Sequence, residues 1–134
     1  MDLKYDRGEH RRKHCWSEGV AGSITRGRNR VGQCSNLLSD ALAAQLLNDG
    51  VRVDEEMNEL TDSRAFPRAV SNVFQGVPYR AVKTDEAARS LHGYPCLRED
   101  ELPTGLRETL RARAASEGHQ RAFDSWIREQ VKPR

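Results

Sequence analysis

The sequence predicts an α+β fold, a small single domain in which a β-hairpin or short antiparallel sheet packs with about three helices. Three observations predict it. Val70, Val73, Val77, Tyr79, Ala81 and Val82 flank Gln75-Gly76, the β-branched and aromatic pattern of two strands around a tight turn. Leu42, Leu46 and Leu47 recur at helical spacing behind Ser39, and Phe123, Trp126, Ile127 and Val131 do so near the C terminus. A length of 134 residues suits one domain with one hydrophobic core.

The elements follow in order. Residues 1–18 read as a basic N-terminal arm with Leu3, Tyr5, Cys15 and Trp16 as its anchors, and residues 19–134 as a single α+β domain. In Gly22 to Cys34, Arg26, Arg28 and Arg30 alternate among Gly22, Gly27 and Gly32. Guanidinium groups pair bidentately with phosphate or carboxylate, and glycines allow close backbone approach or positive φ. This stretch fits either a phosphate-contacting loop leading into the first helix, or a twisted edge strand with Ile24 and Val31 turned inward. Residues 39–50 form the clearest helix, with Ser39 as its cap and Gly50 as its stop. The acidic segment from Val51 to Pro67 reads as an irregular loop with a short helical turn.

Beyond the hairpin, Pro78 belongs at a sheet edge or at a strand's start. Residues 85–103, including His92-Gly93-Tyr94-Pro95-Cys96, carry the turn formers of an ordered loop. Thr104 then caps a helix that shows Leu106, Leu110 and Ala114 on one side and ends at Gly118. A last helix spans about His119 to Val131.

Charge is uneven along the chain. The overall +2 divides into +4 over residues 1–34, −5 over 35–65 and +3 over 66–134, so the acidic middle could neutralise either flank or leave it to a partner. Three widely spaced cysteines, Cys15, Cys34 and Cys96, make no disulfide framework and fit a reducing, cytoplasmic setting. No apolar run approaches the ~18 residues of a membrane span. The excess of arginine over lysine fits a GC-rich bacterial genome.

Several clusters bear on chemistry. Arg26, Arg28 and Arg30 are the principal candidates for nucleic-acid or phosphate binding, with Arg11, Arg12 and Lys13 extending the basic footprint. His92 is the candidate acid or base, and His14 a second, because imidazole titrates near neutrality. The histidines and cysteines lack the paired spacing of zinc sites, and no P-loop or dinucleotide motif occurs, so no metal or cofactor is expected. Asp54, Glu55, Glu56, Glu59 and Asp62 form an acidic patch without calcium-loop spacing.

Three function classes fit. The leading one is a small binding protein that engages nucleic acid or an acidic protein surface through its Arg/Gly-rich segment. The second is a metal-independent, toxin-like ribonuclease using His92 and the arginines. The third is an inhibitor or immunity-type protein whose working surface is the acidic patch over residues 54–62. The oligomeric state does not follow from sequence.

Overall fold

In the computed structural model, residues 2–6, 18–62 and 64–133 are described. The chain runs β1 (Lys4–Tyr5), β2 (Gly22–Arg26), β3 (Asn29–Gln33), α1 (Asp40–Asn48), β4 (Val51–Val53), β5 (Ala69–Phe74), β6 (Val77–Asp85), β7 (Ser90–Pro95), α2 (Thr104–Ser116) and α3 (Gln120–Gln130). The architecture is α+β. A five-stranded sheet has the order β1-β7-β6-β5-β4, and β2 with β3 forms a separate two-stranded sheet. β1 runs parallel to β7, while the other pairs are antiparallel.

The centre of the large sheet grows from the turn that the sequence marks. Gln75 and Gly76 both take positive φ, 54° and 79°, the geometry of a type I′ turn whose twist matches the strands it joins. β5 and β6 then pair from Phe74–Val77 to Ala69–Val82. Pro78 sits near the start of β6, which is an interior strand.

Alternation along the strands gives each face its own cover. On one face Val70, Ala81 and Leu91 pack with Leu3 and with Leu47 of α1. On the other, Ala69 and Val73 pack with Leu106, Leu110 and Ala114 of α2 and with Phe123 and Trp126 of α3. Those helical faces are the ones the periodicity predicts. Ser39 caps α1, its Oγ accepting from the Leu42 amide at 3.2 Å. Gly50 is needed for close approach: a Cβ there would lie 2.4 Å from Val70 Cγ1. α2 ends in a Schellman arrangement, with His119 N donating to Ala114 O and Gly118 N to Ala115 O around Gly118 at φ +81°.

Four local expectations need correction. Residues 90–95, including His92, are strand β7 and not loop; the turn is confined to residues 86–89, where Asp85 Oδ1 accepts the Ala87 and Ala88 amides. The acidic segment begins with β4, and its tight turn is closed by Asp54 Oδ1 accepting the amides of Glu56 and Asn58, with no helix among its described residues. Thr104 is the first residue of α2 and makes no cap; Pro103, whose ring presets a φ of −59° there, holds the capping position. Within the expected N-terminal arm, Lys4 and Tyr5 belong to the sheet, and Leu3 is clamped by Asn48, which accepts from its amide and donates to its carbonyl. His10, Arg11, Arg12, Lys13, His14, Cys15 and Trp16 lie outside the described residues.

Candidate functional site

The Arg/Gly-rich stretch folds as the hairpin β2–β3. Thr25 pairs with Arg30 and Ile24 with Val31, leaving Gly27 and Arg28 as a two-residue turn. Only Gly27 of the two has positive φ, +61°, as a type II′ turn requires at its first position. Gly32 answers a packing demand: a Cβ there would come 3.0 Å from Pro95 Cδ and 3.3 Å from Pro95 O. The hairpin therefore rests on the end of β7.

Two polar contacts hold it to the C terminus. Ser23 Oγ donates to Gln130 Oε1 at 2.9 Å. Arg30 Nη2 donates to Leu97 O at 3.0 Å and also to Gln130 O, placing a cation at the carbonyl end of α3, where the helix dipole is negative.

Between hairpin and β7 opens a cleft of about 580 Å³, whose walls include Arg28, Arg30, His92, Tyr94, Arg98, Glu101 and Lys132. Cross-strand register puts Arg80 opposite Tyr94 and Val82 opposite His92, so His92 and Tyr94 share one face of β7. His92 Nδ1 lies 2.7 Å from Thr84 Oγ1, which fixes the ring's orientation.

Among the described residues, the one carboxylate in the cleft wall is consumed internally. Glu101 is buried; its Oε1 accepts the amides of Leu97 and Arg98 at 3.0 and 3.1 Å, and its Oε2 lies 3.6 Å from Arg80 Nη1. This is a desolvated ion pair completed by hydrogen bonds, the arrangement in which a buried charge is tolerated. Arg80 Nη1 also donates to Tyr94 Oη at 3.4 Å.

Burial, reinforced by the Glu101 charge and hydrogen bond and partly opposed by Arg80, pushes the Tyr94 hydroxyl up to about 12. The phenol is a neutral group at physiological pH. Behind it, burial and then the Glu101 charge raise the Cys96 thiol well above its usual range, so Cys96 is a protonated, enclosed thiol and no nucleophile.

The remaining charge of the cleft is positive. Arg98 has Asp100 at 3.3 Å. Among the described residues, no ion pair or hydrogen bond engages the side chains of Arg28 or Lys132. Arg30 gives its hydrogen bonds to neutral carbonyls and keeps its charge.

Of the residues singled out from sequence, Arg28, Arg30 and His92 meet in this cleft. Arg26 ends β2, and its side chain is outside the described part of the structure. Arg11, Arg12, Lys13 and His14 are likewise outside it. The acidic segment pairs with nearby arginines, Glu55 with Arg68 at 3.4 Å and Asp62 with Arg64 at 3.5 Å. Sequence reasoning missed Tyr94, Arg98, Glu101 and Lys132 as cleft residues. For Arg80, which backs the cleft by pairing with Glu101, a usable signal existed: it is the one charge in the apolar first part of β6, Val77–Val82.

Among the described residues, no group of three or more His, Cys, Asp or Glu is arranged to hold a metal ion, and no helix is long and apolar enough to cross a membrane. Comparison with family models, curated proteins and solved structures finds no match to this chain.

Proposed function

We propose that this protein binds nucleic acid through the cleft between the β2–β3 hairpin and β7, with the phosphate backbone lying along Arg28, Arg30 and Lys132. One observation carries the reading: these cations converge on a cleft in which the one carboxylate among the described residues, Glu101, is already neutralised by Arg80. A groove of uncompensated positive charge attracts a polyanion and releases its counterions on binding. The guanidinium of Arg28, presented on a tight turn, is suited to bidentate phosphate contact.

The test is a titration of labelled RNA and DNA at several salt concentrations with the wild type and the Arg28→Ala/Lys132→Ala double variant. Affinity is expected to fall steeply with salt, and the double variant to lower the log–log slope by about 2, one for each cation removed from the phosphate backbone. Binding that ignores salt, or that the double variant leaves intact, overturns the reading.

A metal-independent ribonuclease is the second reading, favoured by the position of His92 in the same cleft as Arg28 and Arg30. In that chemistry the ribose 2′-oxygen attacks phosphorus, the P–O5′ bond breaks, and an imidazole takes up or supplies one of the two protons exchanged. The arginines would stabilise the charge that accumulates on phosphorus. A denaturing gel of the same mixtures decides it: cleavage that survives a chelator and disappears in His92→Ala establishes the enzyme, and intact RNA removes it. Neither binding nor cleavage would move the search to a basic protein partner, with Glu55 and Glu56 as the contact to reverse.

A further inference from the structure

We infer that the ligand of this cleft is an unpaired strand, two successive bases of which stack on His92 and Tyr94; the inference rests on the nucleic-acid reading above. It starts from the register of β7. His92 and Tyr94 are two residues apart, opposite Val82 and Arg80, and so stand on the same face of the strand, and both line the cleft. Strand geometry separates such side chains by about 7 Å. That is twice the ~3.4 Å rise of stacked nucleotides, so a strand drawn out to extension brings consecutive bases over consecutive rings. In a duplex those base faces are already occupied and only base edges are offered to the protein.

The two rings are held in place before any ligand arrives. His92 is anchored at Nδ1 by Thr84 Oγ1 at 2.7 Å, and Tyr94 at its hydroxyl by Arg80 Nη1 at 3.4 Å. Side chains locked by neighbours lose little freedom on binding, which is what a rigid stacking surface needs. Arg28 and Lys132 on the surrounding wall supply the backbone contacts. Planar rings flanked by cations are the combination that binds single strands with little demand on sequence. Both oligoribonucleotides and oligodeoxyribonucleotides present this chemistry.

The experiment is an anisotropy titration of short labelled oligouridine and oligothymidine, beside blunt RNA and DNA duplexes, at one low salt concentration. Either or both single strands are expected to bind at least about tenfold tighter than the duplexes. His92→Ala should weaken single-strand binding by about 5- to 150-fold, the loss of one stacked base, and His92→Phe should recover most of that loss because it restores a ring without a charge. Photocrosslinking of the wild type to a bromouridine-substituted oligonucleotide, which needs no variant to fold, should map to His92 or Tyr94. Duplexes that bind as tightly as single strands, yet still depend on Arg28 and Lys132, would overturn this inference and leave the nucleic-acid reading standing. Crosslinks that avoid β7 would also overturn it. Absence of binding to all four probes would overturn both.

Discussion

Two hairpins among the described residues have two-residue, glycine-containing turns, and they have opposite fates. β5–β6 forms the middle of the large sheet and is covered on both faces, its Gly76 turn lying so close to α3 that a Cβ would meet His119 O at 2.7 Å. β2–β3 stands apart as a two-stranded sheet, and a Cβ on its Gly27 would meet nothing within 4 Å. Both hairpins carry arginine. Arg80 of β6 is 12% exposed and spends its charge on buried Glu101, whereas Arg28 of the other turn is exposed and has no such partner among the described residues. Local turn chemistry makes both hairpins; tertiary cover decides which charges are structural and which face a ligand.

The sharpest way to break the comparison is to remove the interior arginine. Arg80→Met leaves the Glu101 carboxylate buried and unpaired and should cost about 3–5 kcal/mol. Adding Glu101→Gln removes the orphaned charge while keeping an oxygen for the Leu97 and Arg98 amides, and should recover part of that loss. Urea unfolding of the three proteins measures this. A cost for Arg80→Met below about 1 kcal/mol would show the pair to be solvated, like an exposed salt bridge, and the distinction between the hairpins would collapse.

The two turn glycines come next. Gly76→Ala combines a left-handed φ with collisions against His119 O and Ala122 Cβ at 2.7 and 2.8 Å, for an expected loss of about 2–4 kcal/mol. Gly27→Ala carries the backbone penalty alone, about 1–2 kcal/mol. Equal losses in thermal unfolding would mean that the packing of Gly76 on α3 contributes nothing.

How much of this is legible in the sequence differs between the two hairpins in the same way. The Gln75-Gly76 turn and the apolar faces of all three helices α1–α3 are readable, because turn chemistry and 3.6-residue periodicity are local. The placement of His92 in a loop fails because His-Gly-Tyr-Pro carries turn-forming residues, while its strand character comes from hairpin pairing with β6 on one side and from β1, distant in sequence, on the other. For the Arg/Gly stretch, alternation of Arg28 and Arg30 says nothing about destination: one side chain lies on the cleft wall, and the other also donates to carbonyls 67 and 100 residues away. Lys132 and Glu101 reach the cleft through the docking of the C-terminal segment, as in the amide of Lys132 bonding to Leu97 O, and no local pattern announces that.

Alkali should separate the interior region from the exposed one by a smaller margin. The Tyr94 hydroxyl is raised from its usual 10.0 to about 12 in the folded protein, so the folded state holds a proton that the unfolded chain releases first. Its contribution is fully present below pH 10 and is lost as pH rises from 10 toward 12, reaching about 3 kcal/mol at most. The Cys96 thiol, raised by burial, acts in the same direction. Tyr94→Phe should therefore flatten the fall of the urea midpoint across that interval without abolishing it. An identical pH profile in wild type and Tyr94→Phe would place the phenol in solvent.

The smallest effect on stability divides the exposed hairpin within itself. Arg30 ties β3 to the carbonyls of Leu97 and Gln130, so Arg30→Ala should cost about 1–2 kcal/mol and speed amide exchange in β2 and β3 more than elsewhere. Arg28→Ala removes a side chain that has no hydrogen bond or ion pair among the described residues and should leave the melting temperature within about 2 °C of wild type. Their effects on nucleic-acid affinity need not follow that order. Arg28→Ala should weaken binding by taking a cation directly off the phosphate backbone, whereas Arg30→Ala should weaken it both through the missing charge and through a loosened hairpin. A designed tie between β3 and α3 would rescue only the second component. If instead Arg28→Ala lowers stability as much as Arg30→Ala does, the turn arginine is a structural residue like Arg80, and the exposed hairpin repeats the interior one with weaker cover.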